Sequence, residues 1–99
     1  MIKVSVESKR KIKSIRILGH ADYDEYGRDI VCSSVSSIIT TTINGIYEIN
    51  PEFLTVEEVK NGMIIIIQKE DSICEKLIQN MLNLLSELEE SYPENITVK

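Results

Sequence analysis

The sequence predicts an α+β domain in which two helices cover one face of a mostly antiparallel sheet. Three observations predict this class: a hairpin pattern near the start, a second hairpin pattern in the middle, and an apolar stripe of helical period after each of them. With a short last strand, the predicted order is ββαββα(β). The 99 residues suit one domain spanning 1–99, which is long enough to bury a single core.

The first hairpin pattern consists of two half-buried strands joined by a polar turn. Ile2 to Glu7 alternates apolar and polar residues, and Ile12 to Gly19 contains Ile15 and Ile17, which should share one face. His20 then stands at the end of the second strand or just beyond it.

A helix is predicted from Ile30 to about Glu48 by its apolar spacing. Its serines and threonines are weak helix formers, and Asn44-Gly45 resembles a hairpin turn, so two short strands are the alternative. The residues expected on the inward face are Val31, Val35, Ile38, Thr42, Ile46 and Ile49.

The second hairpin pattern follows a break at Asn50-Pro51. Phe53 to Val59 and Met63 to Gln68 flank Asn61-Gly62, a favoured two-residue turn. The isoleucine run in the second of these segments is typical of a central strand that is buried on both faces.

The last predicted helix begins with a capping box at Ser72 to Glu75. Its broad apolar stripe is expected to form core, or core plus a dimer seam. Cys74 lies at the edge of this stripe, and we interpret it as a packing residue. Tyr92-Pro93 should end the helix, and Ile96 to Val98 predicts a short edge strand.

The chain's only histidine, His20, and one of its two cysteines, Cys32, flank the loop between the first hairpin and the first helix. Asp29 is a good N-cap residue, which would place Cys32 in the first helical turn, where N–H groups and the helix dipole favour an anion. The thiolate is the nucleophilic form of cysteine, and His20 could accept the thiol proton. The N–H groups of Cys32 and Ser33 could also face a developing oxyanion.

The alternative is that neither His20 nor Cys32 is catalytic. A lone cysteine is most often a small buried hydrophobe, and a lone histidine is most often a surface or packed residue. Asp22 and Asp24 are close enough in sequence to orient the histidine, but they are better explained as solvated loop charges. A Cys–His dyad is chemically sufficient without a third member.

The loop from 21 to 28 could contact a peptide. Tyr23 and Tyr26 could line a peptide-binding groove or, equally, cover the edge of the core. The acidic residues Asp22, Asp24 and Glu25 could attract a basic peptide or be ordinary solvated charges. Gly27 could serve as a hinge for a loop that closes over substrate.

A run of residues around this pair matches a known motif. It comprises Gly19-His20-Ala21, Gly27, Asp29-Ile30-Val31-Cys32 and Val35-Ser36. In these residues the chain resembles the bacterial ribosomal-processing cysteine proteases, the Prp or YsxB-like family. One departure is visible, because Ser33-Ser34 follows the cysteine where the family usually carries small apolar residues, and this could alter substrate fit.

The resemblance implies a cysteine endopeptidase with His20 and Cys32 as the catalytic pair, supported by Asp29 as the helix cap. It also implies a homodimer and a substrate: the N-terminal extension, with apolar or aromatic residues near the cut, of the large-subunit ribosomal protein numbered twenty-seven. The residues expected to bind this peptide are Asp22, Tyr23, Tyr26, Gly27, Ser33 and Ser36.

The charge of the chain bears on its partners. A formal net charge of -5 and a pI near 4.8 argue against nucleic acid as the main partner. Basic residues are nevertheless concentrated before the motif, which indicates a solvated basic hairpin or, alternatively, a docking patch for RNA. The alternative function is therefore a non-catalytic ribosome-associated binding module that uses this hairpin.

Composition also sets expectations for location and cofactors. We find no apolar segment typical of a signal peptide, and the longest apolar run, Met63 to Ile67, is too short to span a bilayer. Two cysteines do not suggest a disulfide framework, so a reduced, cytoplasmic protein is expected. One histidine and two separated cysteines make a poor zinc set, and we expect neither metal nor cofactor.

Overall fold

The computed structural model describes residues 1–99 as seven elements. Two strands, β1 (Ile2–Lys9) and β2 (Lys11–Leu18), precede helix α1 (Ile30–Ile49). A second pair, β3 (Leu54–Val59) and β4 (Gly62–Ile67), precedes helix α2 (Ser72–Ser91), and β5 (Ile96–Val98) ends the fold.

The five strands form one sheet in the order β3-β4-β2-β1-β5. Every neighbouring pair is antiparallel except β1 with β5, which run parallel. The predicted α+β class and the order ββαββαβ are confirmed, and the alternative of two strands in place of α1 is wrong. β1 extends two residues beyond the predicted Glu7, and β2 begins and ends one residue earlier than predicted, which leaves Arg10 alone at the turn with φ of 66°.

The core lies between one face of the sheet and the two helices. Val4 pairs with Ile17 and Ile15 pairs with Ile65, so the buried residues of the central strands point to the same side. These residues and the buried residues of both helices belong to a single cluster of 19 side chains. The predicted orientation of Ile15 and Ile17 is therefore confirmed.

The inward face of α1 differs from the prediction by one residue along half of its length. Its buried residues are Val31, Val35, Ile39, Ile43 and Ile46. Ile38 is partly buried and packs against the core, whereas Thr42 is outside the core cluster and Ile49 is exposed, so the assignments of Thr42 and Ile49 were wrong. The reason is tertiary: α1 also packs against α2, and the rotation of a helix about its axis depends on all the surfaces that it contacts.

By length and apolar composition alone, α1 is a helix that could cross a membrane. Core helices of soluble proteins meet the same criterion. In this fold the buried residues of α1, which make up 28% of its apolar window, belong to the core cluster.

The start of α2 lies one residue earlier than the predicted capping box. Asp71 is the N-cap, and its Oδ1 accepts hydrogen bonds from the N–H groups of Ile73 and Cys74 at 3.0 and 3.1 Å. The N–H of Asp71 in turn donates to Glu75 Oε2 at 3.0 Å. Asp71 and Glu75 therefore form a reciprocal pair that is one residue longer than a capping box, and Ser72 is the first helical residue, because the carboxylate takes the capping position.

Candidate active site

Helix α1 begins on the carboxylate of Asp29. Asp29 Oδ1 accepts hydrogen bonds from the N–H groups of Val31 and Cys32 at 3.0 and 2.9 Å. Its Oδ2 accepts a third hydrogen bond from the N–H of Tyr23 at 3.0 Å. The structure thus confirms Asp29 as the N-cap, and it shows that the same side chain also joins the preceding loop to the helix.

These contacts change the acidity of Asp29. Burial raises the pKa of its carboxyl group, but backbone N–H groups that donate to the carboxylate outweigh burial, so the pKa lies below its ordinary value. The N–H groups of Cys32, Tyr23 and Val31 make the three hydrogen bonds described above, and the backbone of Asp24 contributes in the same direction. The cap is therefore ionised, and at full strength, throughout the neutral pH range.

The expectation that the N–H groups of Cys32 and Ser33 face an oxyanion is wrong for this structure. The N–H of Cys32 donates to Asp29 Oδ1, and the N–H of Ser33 donates to the backbone oxygen of Asp29 at 3.1 Å. Because a good N-cap consumes the free donors of the first turn, the property that predicts the helix start also removes these donors.

The sulfur of Cys32 contacts the residue after His20. Cys32 Sγ accepts a hydrogen bond from the N–H of Ala21 at 3.3 Å. Because the Cα of His20 is two bonds from that nitrogen, it lies within about 6 Å of the sulfur, a distance that an imidazole side chain can bridge. Cys32 is half-buried and His20 is exposed. The structure therefore brings together the two residues that the sequence singled out, and their catalytic roles stay a prediction.

Gly19 sets the direction in which the chain leaves β2. Its φ is 97°, a left-handed conformation that L side chains rarely adopt. Its N–H donates to the backbone oxygen of Asn61 at 2.8 Å, and a Cβ at this position would collide with the carbonyl oxygen of Met1. Only glycine fits here, and the resulting turn carries His20 toward the start of α1.

An open cavity of about 840 Å³ has both Cys32 and His20 among its lining residues. Ile17, Val35, Ile39 and Met63, from β2, α1 and β4, supply apolar lining. Eight of the predicted site residues line it: His20, Asp22, Tyr26, Gly27, Asp29, Cys32, Ser33 and Ser36. Sequence reasoning did not assign Arg28, Thr40 or Asn61 to the site, although they also line the cavity.

The two loop tyrosines have different surroundings. Tyr26 is fully exposed at the cavity, and Gly27 beside it has φ of 89°. Tyr23 is not among the lining residues, and its ring packs edge-to-face against Tyr92 with centroids 5.3 Å apart. For Tyr23 this arrangement matches the alternative in which the ring covers the edge of the core.

Asn95 is a further neighbour of the site that the sequence did not reveal. Its side-chain Nδ2 donates to the backbone oxygen of Ala21 at 3.0 Å. The two residues are 74 positions apart, so no local pattern could have joined them.

Cys74 occupies the same local position in α2 that Cys32 occupies in α1, three residues after a capping aspartate. Its environment is the opposite, because Cys74 is fully buried in the core cluster. Burial, and next the charge of Asp71, raise the pKa of the Cys74 thiol. The interpretation of Cys74 as a packing residue is confirmed. No cluster of three or more His, Cys, Asp or Glu side chains is arranged to hold a metal ion.

Comparison with known proteins gives a consistent result. The family model described as "Cysteine protease Prp" matches residues 1–97. Proteins named "Ribosomal processing cysteine protease Prp" from two Staphylococcus aureus strains are each 32% identical over 98 residues, which covers 96% of this chain and 92% of the relative.

Solved structures agree over the whole fold. A crystal structure of an essential ribosomal processing protease Prp from S. aureus, with a covalently linked product peptide, has a TM-score of 0.84 and 29% identity, covering 99% of this chain and 95% of that one. A second S. aureus Prp structure, with a substrate peptide, has a TM-score of 0.77 and 28% identity at the same coverage. A Streptococcus mutans protein has a TM-score of 0.78 and 28% identity, covering 100% of this chain and 92% of that one.

Proposed function

Since this chain belongs to the cysteine protease Prp family, we propose that Cys32 is the nucleophile and His20 the general base of its peptide-cleaving site. The single observation that carries the assignment is the hydrogen bond from the Ala21 N–H to Cys32 Sγ. It brings the residue that follows the only histidine against the one cysteine that borders the cavity. Cys74, the other free thiol, is buried and has no histidine to pair with.

The proposed reaction proceeds through an acyl-enzyme. His20 removes the thiol proton, Cys32 Sγ attacks the peptide carbonyl carbon, and the protonated His20 then gives the proton to the leaving amine. Water, deprotonated by His20, hydrolyses the thioester, and this releases the carboxylic acid and restores the thiol. The covalently linked product peptide in the S. aureus relative supports a covalent intermediate.

The electrostatics of the site support the nucleophile assignment. Cys32 lies in the first turn of a 20-residue helix, where the helix dipole favours negative charge. The N–H of Ala21 points at the sulfur and stabilises negative charge on it. The small Ser33 side chain and the nearby Ser36 keep the entrance open on the helix side.

We propose that the substrate is the N-terminal extension of the large-subunit ribosomal protein numbered twenty-seven. The names of the relatives, ribosomal processing proteases, support a ribosomal protein as the substrate class. The apolar lining at Ile17, Val35 and Met63 would accept apolar residues near the cut, and Asp22 and Asp24 would attract basic residues of the peptide. A homodimer and a cytoplasmic location are further parts of the proposal, and light scattering and cell fractionation test them.

The test is incubation with the full-length precursor, read by intact mass. Wild type should release the extension, Cys32→Ala should release none, and Cys74→Ala should retain cleavage if it folds. Circular dichroism establishes that each variant is folded. Cleavage by Cys32→Ala at the wild-type rate would show that the nucleophile lies elsewhere.

The alternative, a non-catalytic ribosome-binding module, has one observation in its favour. A second cavity of about 770 Å³ is lined by Lys9, Arg10, Lys11 and Lys13. Lys11 Nζ already lies 3.3 Å from Glu75 Oε1, so part of this charge is compensated within the chain. Ribosome co-sedimentation that survives iodoacetamide and is lost when these basic residues are neutralised would favour the module. Cleavage that iodoacetamide blocks would favour the protease.

A further inference from the structure

Asn95 lies between α2 and β5 and is held by its own backbone. Its N–H donates to the Tyr92 oxygen at 2.9 Å, and its backbone oxygen accepts a hydrogen bond from the Ile2 N–H at 2.9 Å. Because both backbone groups are hydrogen-bonded, the Asn95 backbone is held in place, and its short side chain positions the amide. That amide reaches the backbone oxygen of Ala21 at 3.0 Å.

Ala21 connects the Asn95 amide to the candidate nucleophile, Cys32. Ala21 is buried, so both of its backbone polar groups need partners inside the protein. Its oxygen accepts a hydrogen bond from the Asn95 amide, and its N–H donates a hydrogen bond to the Cys32 sulfur. The two contacts fix the peptide planes on both sides of the Ala21 Cα, and one of these planes contains the carbonyl group of His20.

A second contact joins the same two segments. The Tyr23 ring packs edge-to-face on Tyr92, which is three residues before Asn95. The loop after His20 is therefore docked on the segment after α2 by one polar and one aromatic contact. Of these two, only the polar contact fixes the residue that touches the sulfur.

We propose that Asn95 is a positioning residue for the active site: it holds Ala21 so that the Ala21 N–H stays on Cys32 Sγ and His20 stays beside it. This inference rests on the proposed function in one respect only, the role of Cys32 as nucleophile. Asn95 acts through Ala21 and contacts neither the sulfur nor the cavity.

Loss of the Asn95 contact should lower the reactivity of the Cys32 sulfur. The Ala21 N–H donates to Cys32 Sγ at 3.3 Å, so loosening Ala21 removes a contact that stabilises negative charge as it develops on the sulfur during attack. The other charged groups that line the cavity act on the same sulfur and are unchanged by substitutions at position 95. They are His20, Asp22, Asp24, Arg28 and Asp29.

The experiment measures the time course of iodoacetamide alkylation at Cys32 at pH 7, resolved from Cys74 by peptide mass spectrometry. Asn95→Ala removes the amide, and Asn95→Leu removes its hydrogen bond while keeping nearly its size, which covers the case in which the alanine variant does not fold. Asn50→Ala is the matched control, because Asn50 Nδ2 makes a similar contact of 3.1 Å with Asp71 Oδ2. Asn50 lies at the far end of α1, about 30 Å from Cys32.

We expect alkylation of Cys32 at pH 7 to slow by about threefold to tenfold in both Asn95 variants, the effect of weakening a hydrogen bond to a charged group. For cleavage of the precursor, kcat should fall with little change in KM. Asn50→Ala should lower Tm without moving the alkylation curve. Curves for Asn95→Leu and wild type that superimpose, or an equal slowing in Asn50→Ala, would overturn the proposal. Alkylation needs no peptide substrate, so this result stands apart from any failure of the cleavage assay.

Discussion

Replacement of Asp29 by alanine removes a carboxylate that accepts three backbone hydrogen bonds. Two of the donors belong to the first turn of α1 and one, from Tyr23, belongs to the loop. Loss of an N-cap aspartate costs about 1 kcal/mol, and loss of one more partly exposed hydrogen bond costs about as much. We therefore expect the free energy of unfolding to fall by about 2 kcal/mol, which for a domain of this size lowers Tm by roughly 10 °C.

The dependence on pH follows from the lowered pKa of Asp29. A group whose pKa is lower in the folded state than in the unfolded state stabilises the fold above its unfolded pKa, and this contribution is lost as pH falls through the folded pKa. The difference in stability between wild type and Asp29→Ala should be full at pH 7. It should shrink as the pH falls below about 4, the ordinary value for an aspartate.

Asp71→Ala is the matched control, because Asp71 caps α2 through the same two-donor geometry. Thermal unfolding followed by circular dichroism should show a comparable decrease of Tm in both variants. Cleavage of the precursor should separate them, because only Asp29 joins the loop that carries His20 to the turn that carries Cys32. We expect kcat/KM to fall by about tenfold to hundredfold in Asp29→Ala alone, as a misplaced reacting group predicts.

Two outcomes would refute this reasoning. A Tm for Asp29→Ala within about 2 °C of wild type at pH 7 would mean that the carboxylate does not contribute as a cap. An equal loss of cleavage in Asp29→Ala and Asp71→Ala would mean that activity follows global stability. In that case the geometry at the start of α1 has no separate role.

Two further predictions concern glycine geometry and thiol reactivity. Gly19→Ala should destabilise the fold by more than about 1 kcal/mol and reduce cleavage, because a left-handed φ is strained for alanine and the added Cβ meets the Met1 carbonyl. Gly45→Ala, in the middle of α1 with open space at its Cβ position, should instead stabilise the fold by about 0.5–1 kcal/mol, and urea unfolding measures both. Iodoacetamide should modify Cys32 at least tenfold faster than Cys74 at pH 7, because the Cys74 thiol is buried and its pKa is raised. Equal rates in the folded protein would contradict the assigned environments.

Most of the fold could be predicted from local patterns. Alternation of apolar residues identified the strands, and apolar spacing identified both helices. The Asn61-Gly62 signal identified the second hairpin, although its two turn residues are Lys60 and Asn61, because Gly62 pairs with Val59 as the first residue of β4. These signals are local because the periods of strands and helices, and the chemistry of tight turns, involve residues only a few positions apart. The prediction of the inward face of α1 was partly wrong, because a serine- and threonine-rich helix has a poorly defined apolar stripe. Packing against α2 determined the rotation of the helix about its axis.

The candidate site divides in the same way. The motif around His20 and Cys32 and the capping role of Asp29 are visible in one continuous stretch of chain. The contact of Asn95 with Ala21 and the packing of Tyr23 on Tyr92 join segments about seventy residues apart, so no local pattern shows them.

The two cysteines mark the boundary between what the sequence determined and what the structure decided. Each stands three residues after a capping aspartate, in the first turn of a 20-residue helix, so local sequence places them alike. The fold then buries Cys74 beneath the sheet and leaves Cys32 half-open at a cavity, against the residue that follows the only histidine. Local hydrogen bonds determine where a helix begins, whereas exposure and neighbours depend on how that helix packs against distant parts of the chain.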